Sequence, residues 1–358
     1  GNNYAFLKLE ENKVIGIQEK SPFTEDKINE YASSGSYYFK TGLLAKKYIE
    51  RSFEKKQFTN NEIYISTPYQ EMINDRLDIK IYEISHFFQW GTPEDYAEFI
   101  YGLEEVSNID SKNKIDINNI NLLIPAAGES RRFRNENYKK SKIYLDVNGL
   151  SMIQSIINSF KKEISIKILI QEKDFSQKEF NQKKEDIIKI SKKTDGQADS
   201  ALKLIEKVDN NNPLLIHSSD CILDKNIKIE IQNFDIIVFT KSGYRRAFEE
   251  YKNYGWINSK KDEIISLSIK SSPRSKDSNV IIGTFLFKNK EIYKELYTET
   301  KKQKTTGEIH IDHLIETALE KGLKVKEVSS NKSVMLGVPV EYKLFNYMKH
   351  VYYYLKNK

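Results

Sequence analysis

The chain has 358 residues, with 57 Lys and Arg against 51 Asp and Glu, 39% hydrophobic and 30% charged. This is the composition of a globular protein of about two domains. The basic residues are interleaved with acids, which argues against a nucleic-acid partner. No run of roughly eighteen apolar residues is present, which argues against a membrane span.

The single cysteine, Cys221, rules out an internal disulfide framework and fits a reducing cytoplasm. The start, Gly1-Asn2-Asn3-Tyr4, shows no basic segment followed by an apolar run, so no secretory signal is expected.

From the front, blocks of sequence return roughly 250 residues later. Asn3-Tyr4-Ala5-Phe6 returns as Asn253-Tyr254-Gly255-Trp256, and Val14 to Ser21 as Ile264 to Ser271. Ser34 to Lys40 matches Ile282 to Lys288, and Asn61 to Ile65 matches Gly307 to Ile311. Trp90-Gly91-Thr92-Pro93 matches Leu336-Gly337-Val338-Pro339. Five collinear blocks point to a duplication. The expected division is a first module over 1–105, a linker over 106–118, a complete module over 119–345 and a C-terminal helix over 346–358. The first module corresponds to the rear half of the second. This leaves open a homo-oligomer, or an N-terminal half-module that completes it.

Within the second module the apolar run Asn121 to Ile124 predicts a strand entering the small-residue turn Ala126-Ala127-Gly128. Ser151 to Ile164 has helical spacing, with Ser151 as N-cap. A strand is expected over Ser165 to Ile170, a helix over Lys173 to Ile190 and another over Gln197 to Val208. Pro213 to His217 and Asp235 to Phe239 read as buried strands. Beyond Phe239, Tyr254 to Ile257, Ile264 to Ile269 and Val280 to Phe287 read as strands of a mixed extension. A helix closes the chain over Glu341 to Leu355. The alternation predicts an α/β fold, Rossmann-like, with a mixed, mostly parallel sheet flanked by helices and a ligand site beyond the strand C-termini.

Several stretches carry chemistry. The turn Ala126 to Ser130 ends in Arg131-Arg132-Phe133, and Lys142 follows, then Asp146 to Ile153 opens a helix. Thr194-Asp195-Gly196-Gln197-Ala198 precedes a helix, and the His217 strand ends in Asp220. This ordered set resembles the signature of the sugar-phosphate nucleotidyltransferases, in the subgroup found among bacterial capsule and surface-polysaccharide enzymes. The resemblance implies a mostly parallel fold of the GT-A type and transfer of a nucleotidyl group from a nucleoside triphosphate to a sugar 1-phosphate or related phosphorylated polyol. It implies that Ala127, Gly128, Glu129 and Ser130, with Arg132 and Lys142, hold the triphosphate, and that Asp220 holds Mg²⁺. Gly196 and Gln197 would meet the base. Lys270, Gly283 and Glu308 would meet the acceptor, with Glu19, Lys20, Gly35 and Glu62 as counterparts in the first module.

The second module departs from that signature. Ser130 and Arg131 stand where the family has Gly and Ser or Thr, Ser141 replaces Pro before the loop lysine, and Ile269 replaces Glu before Lys270. Met335 stands where many relatives place a second metal-binding Asp. Two outcomes stay open: an enzyme with an altered acceptor site, or a decayed copy that binds or scaffolds. No Asp-x-Asp follows the His217 strand, which counts against a metal-dependent glycosyltransferase. His217 itself reads as a satisfied core histidine. His310 and His313 read as packing or surface groups rather than metal ligands.

Overall fold

The computed structural model describes residues 4–25, 30–84, 87–161, 164–180, 185–229, 233–304 and 307–358. Two compact units are present, Gly1–Gln89 and Trp90–Lys358.

The first unit contains β1 (Ala5–Glu10), β2 (Lys13–Glu19), β3 (Tyr31–Ala32), α1 (Gly42–Glu54) and α2 (Thr67–Asn74). Its sheet runs β2-β1-β3, all antiparallel. Glu11 and Asn12 both have positive φ, the tight hairpin turn whose twist matches the strands it joins. Ala5, Ile17, Tyr48, Tyr69 and Met72 form its core. The buried Glu71 is paired with Arg51 at 3.1 Å and with Lys55 at 2.5 Å, as a carboxylate removed from water requires. Asn3, which opens the first repeated block, lies outside the described residues.

The second unit begins with α3 (Pro93–Asp110), β4 (Asn121–Pro125), α4 (Arg131–Asn135), β5 (Asp146–Val147), β6 (Leu150–Ser151) and α5 (Met152–Ser159). Then follow β7 (Ser165–Gln171), β8 (Glu185–Ile190), α6 (Gln197–Ile205), β9 (Leu214–His217) and β10 (Cys221–Ile222). Next come β11 (Ile236–Lys241), α7 (Arg245–Glu249), β12 (Gly255–Lys260), β13 (Glu263–Ile269) and β14 (Asn279–Phe287). The unit ends with α8 (Lys290–Gln303), α9 (Ile311–Glu320), β15 (Val325–Ser329), β16 (Val334–Met335) and α10 (Pro339–Lys356).

Among the described residues, nine strands form one sheet in the order β11-β15-β13-β12-β14-β9-β4-β7-β8. β9, β4, β7 and β8 pair in parallel. β14 lies antiparallel to both β9 and β11, and β12 and β13 form an antiparallel hairpin. The sheet is mixed, as expected, but not mostly parallel, because the segment after Phe239 enters as hairpins without crossover helices. Leu122, Leu123 and Ile124 of β4 are fully buried, the continuous apolar run of a strand covered on both faces. α6, α8 and α9 cover one face through Ala201, Leu296 and Leu314. Each fully buried Leu or Ile contributes about 1.5–3 kcal/mol.

Four expectations need correction. The helix predicted over 173–190 is absent. Residues 172–174 and 177–179 form single 3₁₀ turns, and 185–190 is strand β8, in parallel register with β7. Residues 181–184 lie outside the described set. The β-branched Ile187, Ile188 and Ile190 suit the edge of a sheet better than a helix.

The expected linker is packed structure. Val106 and Asn108 are buried within α3, Ile115 and Ile117 are buried, and Ile115 bridges Phe160. The first unit likewise ends near Gln89, not at 105, because α3 belongs with the second unit. Glu105 takes an ion pair from the wholly buried Lys241, Glu98 pairs with Arg246 at 2.7 Å, and Asn108 donates to the Leu223 carbonyl at 2.9 Å. The closing helix is continuous from Pro339, whose ring is well placed in a first helical turn, so no separate C-terminal helix starts at 346.

Candidate active site

Strands β4 and β9 are adjacent and parallel, so the loops that follow them emerge side by side. The first is the turn Ala126–Ser130 leading to α4. The second is Ser218-Ser219-Asp220. β14 runs antiparallel beside β9, and this sets the Gly283 carbonyl to accept from the Ser218 N–H at 2.9 Å. The turn before α6 follows β8, parallel to the same set, and arrives at the same end.

A cleft of about 450 Å³ opens there. Ala127, Gly128, Glu129, Arg132 and Lys142 line one part of it, Gly196 and Gln197 another. Asp220, Lys270, Gly283 and Glu308 complete the set drawn from the sequence. Ser130 does not line the cleft. It is buried behind the turn.

Lys142 and Asp220 meet as a direct ion pair, each about one-fifth exposed, and the Ser218 hydroxyl donates to the other oxygen of Asp220. Burial alone would raise the Asp220 carboxyl. The Lys142 ammonium and the Ser218 hydroxyl outweigh it and hold this acid below its usual range. Glu129 takes the Arg131 guanidinium on one oxygen, at 2.6 Å and 2.8 Å, and is held low by it. Among the described residues, Arg132 has no acidic partner and none accepts a hydrogen bond from the N–H groups of Ala127, Gly128 and Glu129. Such donors and cations suit a phosphate chain.

At the far end, Lys270 donates to His310 Nε2 at 2.7 Å, and Lys193 pairs with Glu308 at 2.8 Å. Burial and the neighbouring ammonium of Lys270 push His310 down to about 4, so its ring is neutral near pH 7. His217 is wholly buried, with Nδ1 2.7 Å from the Thr284 hydroxyl and Nε2 2.9 Å from the Cys221 carbonyl. Both ring nitrogens are therefore occupied inside the core. Cys221 is buried and its thiol is pushed well up, so it stays protonated.

In the first unit three of the four predicted residues, Glu19, Lys20 and Glu62, also gather. Lys20 donates to the Tyr64 hydroxyl, which donates to Glu62 at 2.6 Å, and Ser66 donates to Glu19. Gly35, with φ of 79°, donates to Ser33 Oγ at 3.0 Å.

No family model and no curated protein matches the sequence. Solved structures do match. A nucleoside-diphosphate-sugar pyrophosphorylase from Vibrio cholerae aligns with a TM-score of 0.52 and 20% identity, over 63% of this chain and 98% of that one. The chain carries the fold of a nucleotide-sugar pyrophosphorylase. A Bacillus anthracis structure described as a glucose-1-phosphate thymidylyltransferase aligns with a TM-score of 0.50 and 18% identity, over 64% of this chain and 95% of that one.

On this pyrophosphorylase fold, two departures read from the sequence meet each other. Ser130 sits in the left-handed region, φ 53°, where glycine is the inexpensive residue. Its hydroxyl accepts from the Lys142 N–H at 3.1 Å and lies 3.2 Å from the Ser141 hydroxyl. The side chain thus ties the turn to the segment that aims Lys142. Ser130→Gly should change unfolding free energy by less than about 1 kcal/mol, because relief of backbone strain offsets the lost bonds. Ser130→Ala keeps the strain and loses the bonds, and should cost about 1–2 kcal/mol in urea denaturation.

The sequence reading missed Asp312. It lies in the first turn of α9 and lines the cleft. Burial pushes its carboxyl up to about 6, and only Lys270 draws it back. The native state therefore holds this proton more tightly than the unfolded chain. Its charge lowers stability as pH rises from about 4 to about 6, and the loss is complete above that. Asp312→Asn should unfold at higher denaturant than the parent at pH 7.5, by roughly 2 kcal/mol, with little difference at pH 4.

Proposed function

We propose that this chain is a nucleotidyltransferase that joins a nucleoside monophosphate from an NTP to a sugar 1-phosphate, or a similar phosphorylated polyol or alcohol, and releases pyrophosphate. The observation that carries this reading is the convergence of the Ala127–Glu129 turn, Lys142, Asp220, Gly196 and Lys270 on one cleft. An acceptor phosphate oxygen attacks the α-phosphorus and pyrophosphate leaves, with no covalent protein intermediate. Catalysis is then alignment and neutralisation of phosphate charge.

The turn amides and Arg132 hold the β- and γ-phosphates. Lys142 neutralises charge beside the reacting phosphorus. Gly196 and Gln197, at the start of α6, meet the base. Lys270 grips the acceptor phosphate, with Glu308 and the backbone near Gly283 on its hydroxyls. Mg²⁺ is the ion this reading calls for, and among the described residues the cleft offers it the carboxylate of Asp220 rather than a cluster of ligands. The ion takes one or two carboxylates plus phosphate oxygens and water, and Asp220 would supply the carboxylate. When bound, the ion supplies further neutralisation of the triphosphate. The proposal extends to an activated sugar or polyol for capsule or surface polysaccharide, and to the first unit as a duplicated rear half of the same fold.

The departures at Ser130 and Ser141 do not favour a silent scaffold, because their hydroxyls hold the turn against Lys142. Pyrophosphate release from each of four NTPs, with Mg²⁺ and a panel of sugar 1-phosphates and polyol phosphates, tests the reading. Turnover with at least one pair is expected. No turnover with any pair would leave a binding module, and transfer from a nucleotide sugar to an alcohol would favour a glycosyltransferase.

A further inference from the structure

The glutamate absent at position 269 has a structural substitute. In the first unit Glu19 ends β2, faces Ala5 across the hairpin, and accepts from the Ser66 hydroxyl. Lys20 follows with φ of 56°, its N–H on the Tyr4 carbonyl at 2.8 Å and its ammonium on Tyr64. The second unit repeats this frame. Ile269 faces Gly255, and Lys270 follows with φ of 48°, its N–H on the Tyr254 carbonyl at 3.0 Å and its ammonium on His310.

Two residues beyond Tyr64 stands Ser66, and two beyond His310 stands Asp312. The carboxylate has left the strand end and reappears on the helix. A third exchange makes room for it. A Cβ at Gly255 would lie 2.7 Å from Asp312 Oδ2, so an alanine there, as at position 5, would displace the Asp312 carboxylate from its present place.

We propose that Asp312 is the acceptor-selecting carboxylate of this cleft, and that with Lys270 it recognises a phosphorylated compound bearing free hydroxyls. Lys270 takes the phosphate and Asp312 accepts from a neighbouring hydroxyl. The inference rests on the acceptor end of the nucleotidyltransferase reading. A carboxylate in a first helical turn can serve the helix dipole alone. That role explains neither the open wall at Gly255 nor the placement of Asp312 in the cleft beside Lys270. Nor does it explain the retention of a charge whose burial lowers stability.

The test is calorimetric titration of glucose 1-phosphate, glycerol 3-phosphate and inorganic phosphate into the full chain, its Asp312→Asn variant, and a Gly255→Ala, Ile269→Glu, Asp312→Ser triple variant. Asp312→Asn should weaken at least one hydroxyl-bearing phosphate about tenfold and leave inorganic phosphate within about twofold. The triple variant should recover most of the loss. Unchanged affinity in Asp312→Asn, or no binding of either organic phosphate by the parent, overturns the assignment. A parallel titration with NTP and Mg²⁺ separates the two levels. NTP binding retained by the parent leaves the nucleotide reading standing while Asp312 falls, and its absence removes that reading itself.

Discussion

Asp220→Asn is expected to lower nucleotidyl transfer by roughly 10²–10³-fold in kcat, the range found when one preorganised electrostatic group is removed. The carboxylate sits at the end of β9, beside the turn after β4, where the triphosphate and its ion would lie. Its loss also strands the Lys142 ammonium, about one-fifth exposed, against a neutral amide. That costs about 1–3 kcal/mol of stability. The two effects can be separated. Asp220→Asn with Lys142→Met removes both charges, so denaturant stability should recover while activity stays lost. If the double variant regains activity, the pair is structural.

Gly196→Ala should be the most damaging single methyl in the cleft. Its φ of 117° and ψ of −173° lie in a region open essentially to glycine. A Cβ would stand 2.6 Å from the Ile309 carbonyl and 3.0 Å from its nitrogen. Those same backbone groups fasten the turn, since Ala198 N–H donates to the Ile309 carbonyl at 3.1 Å and Ile309 N–H to Asp195 at 3.0 Å. The chain cannot relax without breaking them. A loss of about 3 kcal/mol is expected, which for a unit of this size is a fall in Tm of roughly 6–12 °C. NTP affinity should fall as well, because Gln197 leads α6 from that turn.

Much of the site was legible because its groups stand at strand ends. The apolar run before Ala126 and the run ending at His217 fix where the chain leaves the sheet, and adjacent parallel strands then force Gly128 and Asp220 together. Asp312 was not legible in this way. Its place follows from a missing methyl at Gly255 and a strand residue at 269, distant in sequence and joined only by the hairpin. Extending the repeat that matches Ile65 with Ile311 by one residue, to Ser66 and Asp312, was the available signal. The strand at 185–190 was misread because its sequence, Glu-Asp-Ile-Ile-Lys-Ile, shows neither clean alternation nor a helical stripe. The packing of α3 was hidden for another reason. The partners of Glu98, Glu105 and Asn108 lie more than a hundred residues away, at Arg246, Lys241 and Leu223.

We propose that one cleft holds a triphosphate between the Ala127–Glu129 turn, Lys142 and Asp220. A crystal structure with a nonhydrolysable NTP analogue and Mg²⁺ tests it most directly. Phosphates are expected against the Gly128 and Glu129 amides, the ion on Asp220 and the base beside Gly196. Nucleotide bound elsewhere on the chain, with the Lys142–Asp220 pair untouched, would contradict it.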